Sequence, residues 1–77
     1  MLMVTISYDK YSANAPYAVH LGKHGFYNAV DFARHYNMAV ELAHSCARAI
    51  QRANNGAPVA IYYSEDFLAP AKEIARI

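Results

Sequence analysis

His20, His24, His35, His44 and Cys46 are the side chains of this 77-residue chain best able to ligate a metal or to move protons near neutral pH. His20 and His24 flank the turn Gly22-Lys23-His24-Gly25, but a zinc site of this kind needs a second close-spaced pair, and the single cysteine does not supply it. That spacing predicts solvent-facing imidazoles and no metal. Cys46 and His44 have the types of a nucleophile and its base. Two residues apart on a helix, however, their side chains diverge, and Cys46 falls between Leu42 and Ile50, where an apolar setting keeps a thiol protonated. Glu65 and Asp66 are adjacent, while Asp9 and Asp31 have no partner in the sequence, so these carboxylates read as turn and cap residues. The glycine turn lacks both the length and the Lys-Ser/Thr ending with which a phosphate loop grips its ligand. The expectation is a non-enzyme with no catalytic residue, no cofactor and no metal.

Binding chemistry is better represented. Seven tyrosines are present, and tyrosine combines a large apolar contact area with a hydrogen-bonding tip and little rotamer entropy. Tyr8 and Tyr63 lie on apolar strand faces and are assigned to the core. Tyr11, in a loop, and Tyr62, on the opposite strand face, are harder to bury and are the leading interface candidates. Lys10, Tyr17, His20, Lys23 and His24 join them as cations and rings near the same turns. With Arg34 they form the mixture that single-stranded nucleic acid uses. The formal charge of +1 argues against that partner, because phosphate binding needs several converging cations.

The chain length fits one domain, residues 1–77. Hydrophobic residues make up 56% and charged ones 17%, so the apolar excess must be buried in a core or against another chain, a second copy of this one included. No run of apolar residues reaches the length of a membrane span. A lone cysteine and a start without a charged, apolar leader predict the reducing cytoplasm and no disulfide.

Periodicity supplies the elements. Val4, Ile6 and Tyr8 alternate with Met3, Thr5 and Ser7, a strand with one face buried. Asp9 to Pro16 is rich in turn formers and reads as an exposed loop. Tyr17, Val19 and Leu21 alternate in a second strand; after the glycine turn Phe26, Val30 and Phe32 suit one strand face, while Ala29, Ala33, Tyr36 and Val40 are also spaced for a helix, and the turn favours a third strand from Phe26 through about Ala33. Met38, Leu42, Cys46, Ala49, Ile50 and Ala53 fall on one stripe of a helix from Asn37 to Ala53, with Asn37 as its cap and Asn54-Asn55-Gly56 as its left-handed stop. Val59, Ile61 and Tyr63 form a fourth strand, and Pro70 opens a short closing helix that packs Ile74 and Ile77 inward. The fold class is α+β: an antiparallel sheet in βββαβ order, with the main helix on one face and a short C-terminal helix. The other face, with Thr5, Ser7, Ala18, His20, Tyr27, Ala29, Ala60 and Tyr62, is left free to dock.

In this element pattern, from Met3 to Tyr8 through Val59 to Tyr63, the chain resembles small anti-CRISPR proteins of phages and mobile elements. That resemblance implies a stoichiometric inhibitor that binds a Cas effector subunit in a host cell. Many members of that group are strongly acidic; the near-neutral charge here departs from them and argues against mimicry of nucleic acid. The outline is also similar to partial ribonuclease-H-like antitoxin domains, without their acidic, glycine-bearing hairpin, and this second likeness implies a regulatory domain, dimeric or nucleic-acid-binding.

Overall fold

The computed structural model describes residues 2–22, 29–66 and 69–77. Strand β1, Leu2–Tyr8, is followed by β2, Tyr17–Leu21, and β3, Ala29–Ala33. Helix α1 spans Tyr36–Ala53, and β4, Val59–Ser64, and β5, Lys72–Arg76, complete the chain. The strands form one sheet in the order β3-β2-β1-β4-β5. The part of the expected third strand from Phe26 to Asn28 lies outside the described residues.

The sheet is mixed, which corrects the antiparallel expectation. β1 pairs antiparallel with β2, and β2 with β3, but β1 and β4 run parallel from Leu2 opposite Val59 to Ser7 opposite Ser64. The cause is the helix. Its 18 residues carry the chain back along the sheet after β3, so the next strand must run in the direction of β3 and therefore of β1. The free side of β1 is where it docks.

The closing segment is a strand instead of the expected helix. β5 pairs antiparallel with β4, and its end is tied by reciprocal backbone bonds between Val59 and Ile77 of 3.0 and 2.9 Å. The edge of β4 offers a ready row of donors and acceptors, and pairing there satisfies the backbone of 72–76. Ala75 and Ile77 then turn toward the core that the helix reading had assigned to Ile74 and Ile77; Ile74 itself is exposed.

The core lies between the sheet and α1. Val4, Ile6, Val19, Val59 and Ile61 project from the three central strands against Ala39, Ala43 and Ala47, all fully buried. Each of these buried Val and Ile side chains contributes about 1.5–3 kcal/mol on burial. Alanines spaced four apart at the centre of the helical stripe bring its backbone close to the sheet. The larger Val40, Leu42, Cys46 and Ile50 pack along the flanks, while Met38, Ala49 and Ala53 stay exposed. The stripe is thus rotated from the one its largest residues mark out. The cap is also shifted: His35, in extended conformation, occupies the N-cap with no side-chain bond to the helix, and Asn37 lies inside the first turn. At the other end Asn55 and Gly56 are left-handed, with φ of 58° and 80°, and the Gly56 N–H donates to the Gln51 carbonyl at 2.8 Å.

Candidate functional site

Loop 9–16 leaves β1 and returns into β2 as a closed, hydrogen-bonded unit. The Asp9 N–H donates to the Pro16 carbonyl at 2.7 Å, and the Ser12 N–H to the Asp9 carbonyl at 3.1 Å. The Asp9 carboxylate accepts from the Tyr11 N–H at 3.0 Å, and Ser12 Oγ contacts the Ala15 carbonyl at 3.3 Å. These bonds follow from the Asp, Ser and Pro content that marks the segment as a turn. They fix the backbone that presents Tyr11, whose side chain is 84% exposed with the Lys10 ammonium 5.2 Å from its ring centre.

Phe32, 58% exposed, joins this region from edge strand β3. The sequence pattern paired it with Val30 on one strand face, but the β2–β3 ladder is bulged. Val19 lies opposite Asp31 and His20 opposite Ala29, leaving Val30 as the extra residue. The bulge resets the alternation, so Phe32 shares the helix-free face with Ala18, its partner across the ladder.

That face is far less open than the pattern implies. Thr5, Ser7, His20 and Ala60 are buried, and Ala18, Ala29 and Tyr62 are half-buried. Tyr27 lies outside the described residues. Thr5 Oγ1 donates to the Gly22 carbonyl at 2.7 Å, and Ser64 Oγ contacts the carbonyl oxygens of Asp66 and Ala69, the latter at 3.0 Å. Ser7 Oγ, by contrast, is buried with no hydrogen-bond partner among the described residues. Between the sheet and loop 9–16 a recess of ≈ 120 Å³ remains, walled by Ser7, Ala18, Ala15, Pro16 and Phe32.

The interface candidates therefore separate. Lys10 and Tyr11 stand exposed at the loop, and Tyr62 is half-buried on β4. His20 is only 3% exposed, so a surface contact through it, or an open solvent-facing imidazole, does not fit its placement. Tyr17 belongs to the other side of the sheet. Its ring lies 5.1 Å from that of Tyr8 and 6.0 Å from that of Tyr36, which in turn meets Tyr63 edge-on at 5.2 Å. This chain of four rings closes the core at the start of α1, and burial raises the Tyr63 phenol above its ordinary range, with the neighbouring Tyr17 and Glu65 adding to the shift. Lys23 and His24 lie outside the described residues. Tyr17 and His20, on opposite sides of the sheet, cannot serve one strand of nucleic acid together.

Cys46 is half-buried at the flank of the helical stripe, not at its centre. Burial raises its thiol pKa, and the Asp31 carboxylate raises it further, so it stays a protonated thiol at neutral pH. Among the described residues no group of three or more His, Cys, Asp or Glu side chains is placed to hold a metal ion, and no helix is long and apolar enough to cross a membrane.

Both edge strands are guarded against pairing with another chain. On β3 the Phe32 N–H donates to the Asp31 carboxylate at 2.8 Å, and β5 carries Lys72, Glu73 and Arg76 with a bulge at Ile74. The residues that sequence reasoning missed are Phe32, hidden by the bulge, and Ser7, whose only signal is a polar side chain amid an apolar strand. No protein-family model, curated protein or solved structure matches the chain.

Proposed function

We propose that the chain is a small non-catalytic protein-binding domain that inhibits its partner by stoichiometric occupation, of the anti-CRISPR type, acting on a nucleoprotein effector in the cytoplasm of a host cell. The observation that carries this reading is a hydrogen-bonded loop holding Tyr11 84% exposed on the flank from which Phe32 also projects. Large rings on a pre-ordered backbone bind without the entropy cost of ordering a flexible loop, and rings of this kind are typical anchors of protein interfaces. Lys10 beside Tyr11 supplies a rim charge.

A second reading has its own support. The order β3-β2-β1-β4-β5, with β1 and β4 parallel and the helix crossing between β3 and β4, is compatible with the ribonuclease-H-like antitoxin likeness. Under it the blocked partner is a toxin, or the domain binds nucleic acid as a regulator.

Affinity capture of the tagged chain from bacterial lysate carrying CRISPR systems separates these. A Cas subunit recovered near one-to-one and insensitive to nuclease supports the first reading, and a small toxin supports the second. Nuclease-sensitive recovery, with an oligonucleotide affinity that falls steeply with salt, contradicts a protein partner.

A further inference from the structure

We propose that the hollow lined by Tyr8, Tyr17, Tyr63 and Glu65, where β1 and β4 end and β2 begins, is the seat of one arginine guanidinium of the partner protein. The inference rests on the protein-binding reading for the source of that arginine. The hollow is open, with a volume of ≈ 300 Å³, and its lining is accessible: the three rings are half-buried and Glu65 is exposed. The rings of Tyr8 and Tyr17 stand 5.1 Å apart, tilted by 53°, and that of Tyr63 meets Tyr36 edge-on, so ring packing fixes their positions before anything binds.

Aromatic faces attract a cation through their quadrupole, and the charges around the hollow act in the same sense. After burial, the groups that raise the Tyr63 phenol are Tyr17, Glu65, Tyr36 and Tyr8, all of them acids. The salt bridge among the described residues joins Arg76 to Glu73 and leaves Glu65 without an ion-pair partner there. The positive end of α1, at Tyr36, opposes a cation with only about half a charge, against the full charge of Glu65. Among organic cations this lining selects a guanidinium. A quaternary ammonium takes the ring faces but has no N–H to offer the Glu65 carboxylate, and a primary ammonium has the N–H groups but is strongly hydrated. A guanidinium is planar, weakly hydrated and forked, so one group stacks on a ring and donates to the carboxylate. Tyr8 leads into loop 9–16 and Tyr17 follows it, which places the hollow at the foot of the loop that presents Tyr11. Arginine is among the residues that most often anchor protein interfaces.

The test titrates acetyl-arginine methylamide into the ¹⁵N-labelled full chain, with the citrulline analogue as its uncharged isostere and the lysine analogue and tetramethylammonium as rival cations. Saturable shifts of the Tyr8, Tyr17, Tyr63 and Glu65 amides are expected with the arginine compound. Binding should be at least about tenfold weaker for citrulline and about threefold weaker for either rival cation. Glu65→Gln and Tyr17→Leu should each weaken arginine binding by about three- to tenfold; should Tyr17→Leu lose its fold, Glu65→Gln, at an exposed position, still decides. Absence of saturable shifts, equal affinity for citrulline, or unchanged affinity in folded Glu65→Gln each overturn the proposal, and tighter binding of either rival cation overturns the guanidinium as the group recognised. Because the titration needs no partner, its failure is distinct from failure of the protein-binding reading. In the capture experiment Glu65→Gln should lower recovery of the partner by about three- to tenfold; full recovery overturns the partner's arginine as the occupant.

Discussion

Ser7 and Ser64 lie opposite one another in the parallel β1–β4 ladder, both buried on the side of the sheet away from the helix, and only Ser64 has its hydroxyl bonded within the described residues. Ser64 ties the turn after β4 to the sheet, whereas the Ser7 hydroxyl is buried without a bond among the described residues. Ser64→Ala is expected to cost about 1–2 kcal/mol in urea unfolding, and Ser7→Ala to be neutral or stabilising by up to about 1 kcal/mol. Equal losses in both variants would show that the two hydroxyls are satisfied alike.

The alanine triad sets the distance between α1 and the sheet. Ala43→Leu forces added methylenes into a fully buried site and should destabilise by about 1–3 kcal/mol, while Met38→Ala, on the exposed flank, should stay within about 0.5 kcal/mol of the parent. Thermal unfolding of the two variants side by side checks the helical phase directly.

His35 occupies the N-cap with extended geometry and makes no side-chain bond to the helix, and the first turn has no acidic residue. His35→Asp supplies both a cap and a favourable charge at the positive end of the dipole. It should raise stability at neutral pH by about 0.5–1.5 kcal/mol, read from the denaturation midpoint. A lower midpoint would place the imidazole in a contact that stabilises the fold.

The Cys46 thiol and the Tyr63 phenol both have folded pKa values raised above their ordinary ones, first by burial. The folded state therefore holds these protons more tightly than the unfolded chain. Their contribution is fully present below the unfolded pKa values and is lost as pH rises through the folded ones, so stability should fall from about pH 8.5 upward. Alkylation of Cys46 should reach half its maximal rate at higher pH in the folded protein than in urea, and Asp31→Asn should reduce that gap. An unchanged midpoint in Asp31→Asn would contradict the electrostatic part of the account.

Much of the fold is legible in the alternation of Val4, Ile6 and Tyr8, of Tyr17 and Val19, and of Val59, Ile61 and Tyr63, because a half-buried strand needs that period. The helix is legible too, displaced by one residue at its start. What the pattern hides is non-local. The direction of β4 relative to β1 depends on which edge the chain returns to, and the fate of residues 72–76 on whether a sheet edge is there to receive them. The phase of the helix is hidden because its centre carries a small apolar residue, Ala43, while the long Met38 lies outside. At the site, Tyr11 is legible from the turn chemistry around it. Phe32 is not, since one bulge residue, Val30, reverses the face on which it stands. Tyr17 and His20 look like neighbours of one surface, yet they fall on opposite sides of the sheet.

The central claim is that exposed rings at Tyr11 and Phe32 bind a protein partner. Its most direct test is quantitative capture by the parent chain, Tyr11→Ala and Phe32→Ala, with nuclease present and the melting temperature of each variant measured in parallel. The account predicts one co-purifying protein at near equal stoichiometry, recovered at least about tenfold less by each variant, with the melting temperature of Tyr11→Ala unchanged. Full recovery by both variants while both stay folded would contradict it.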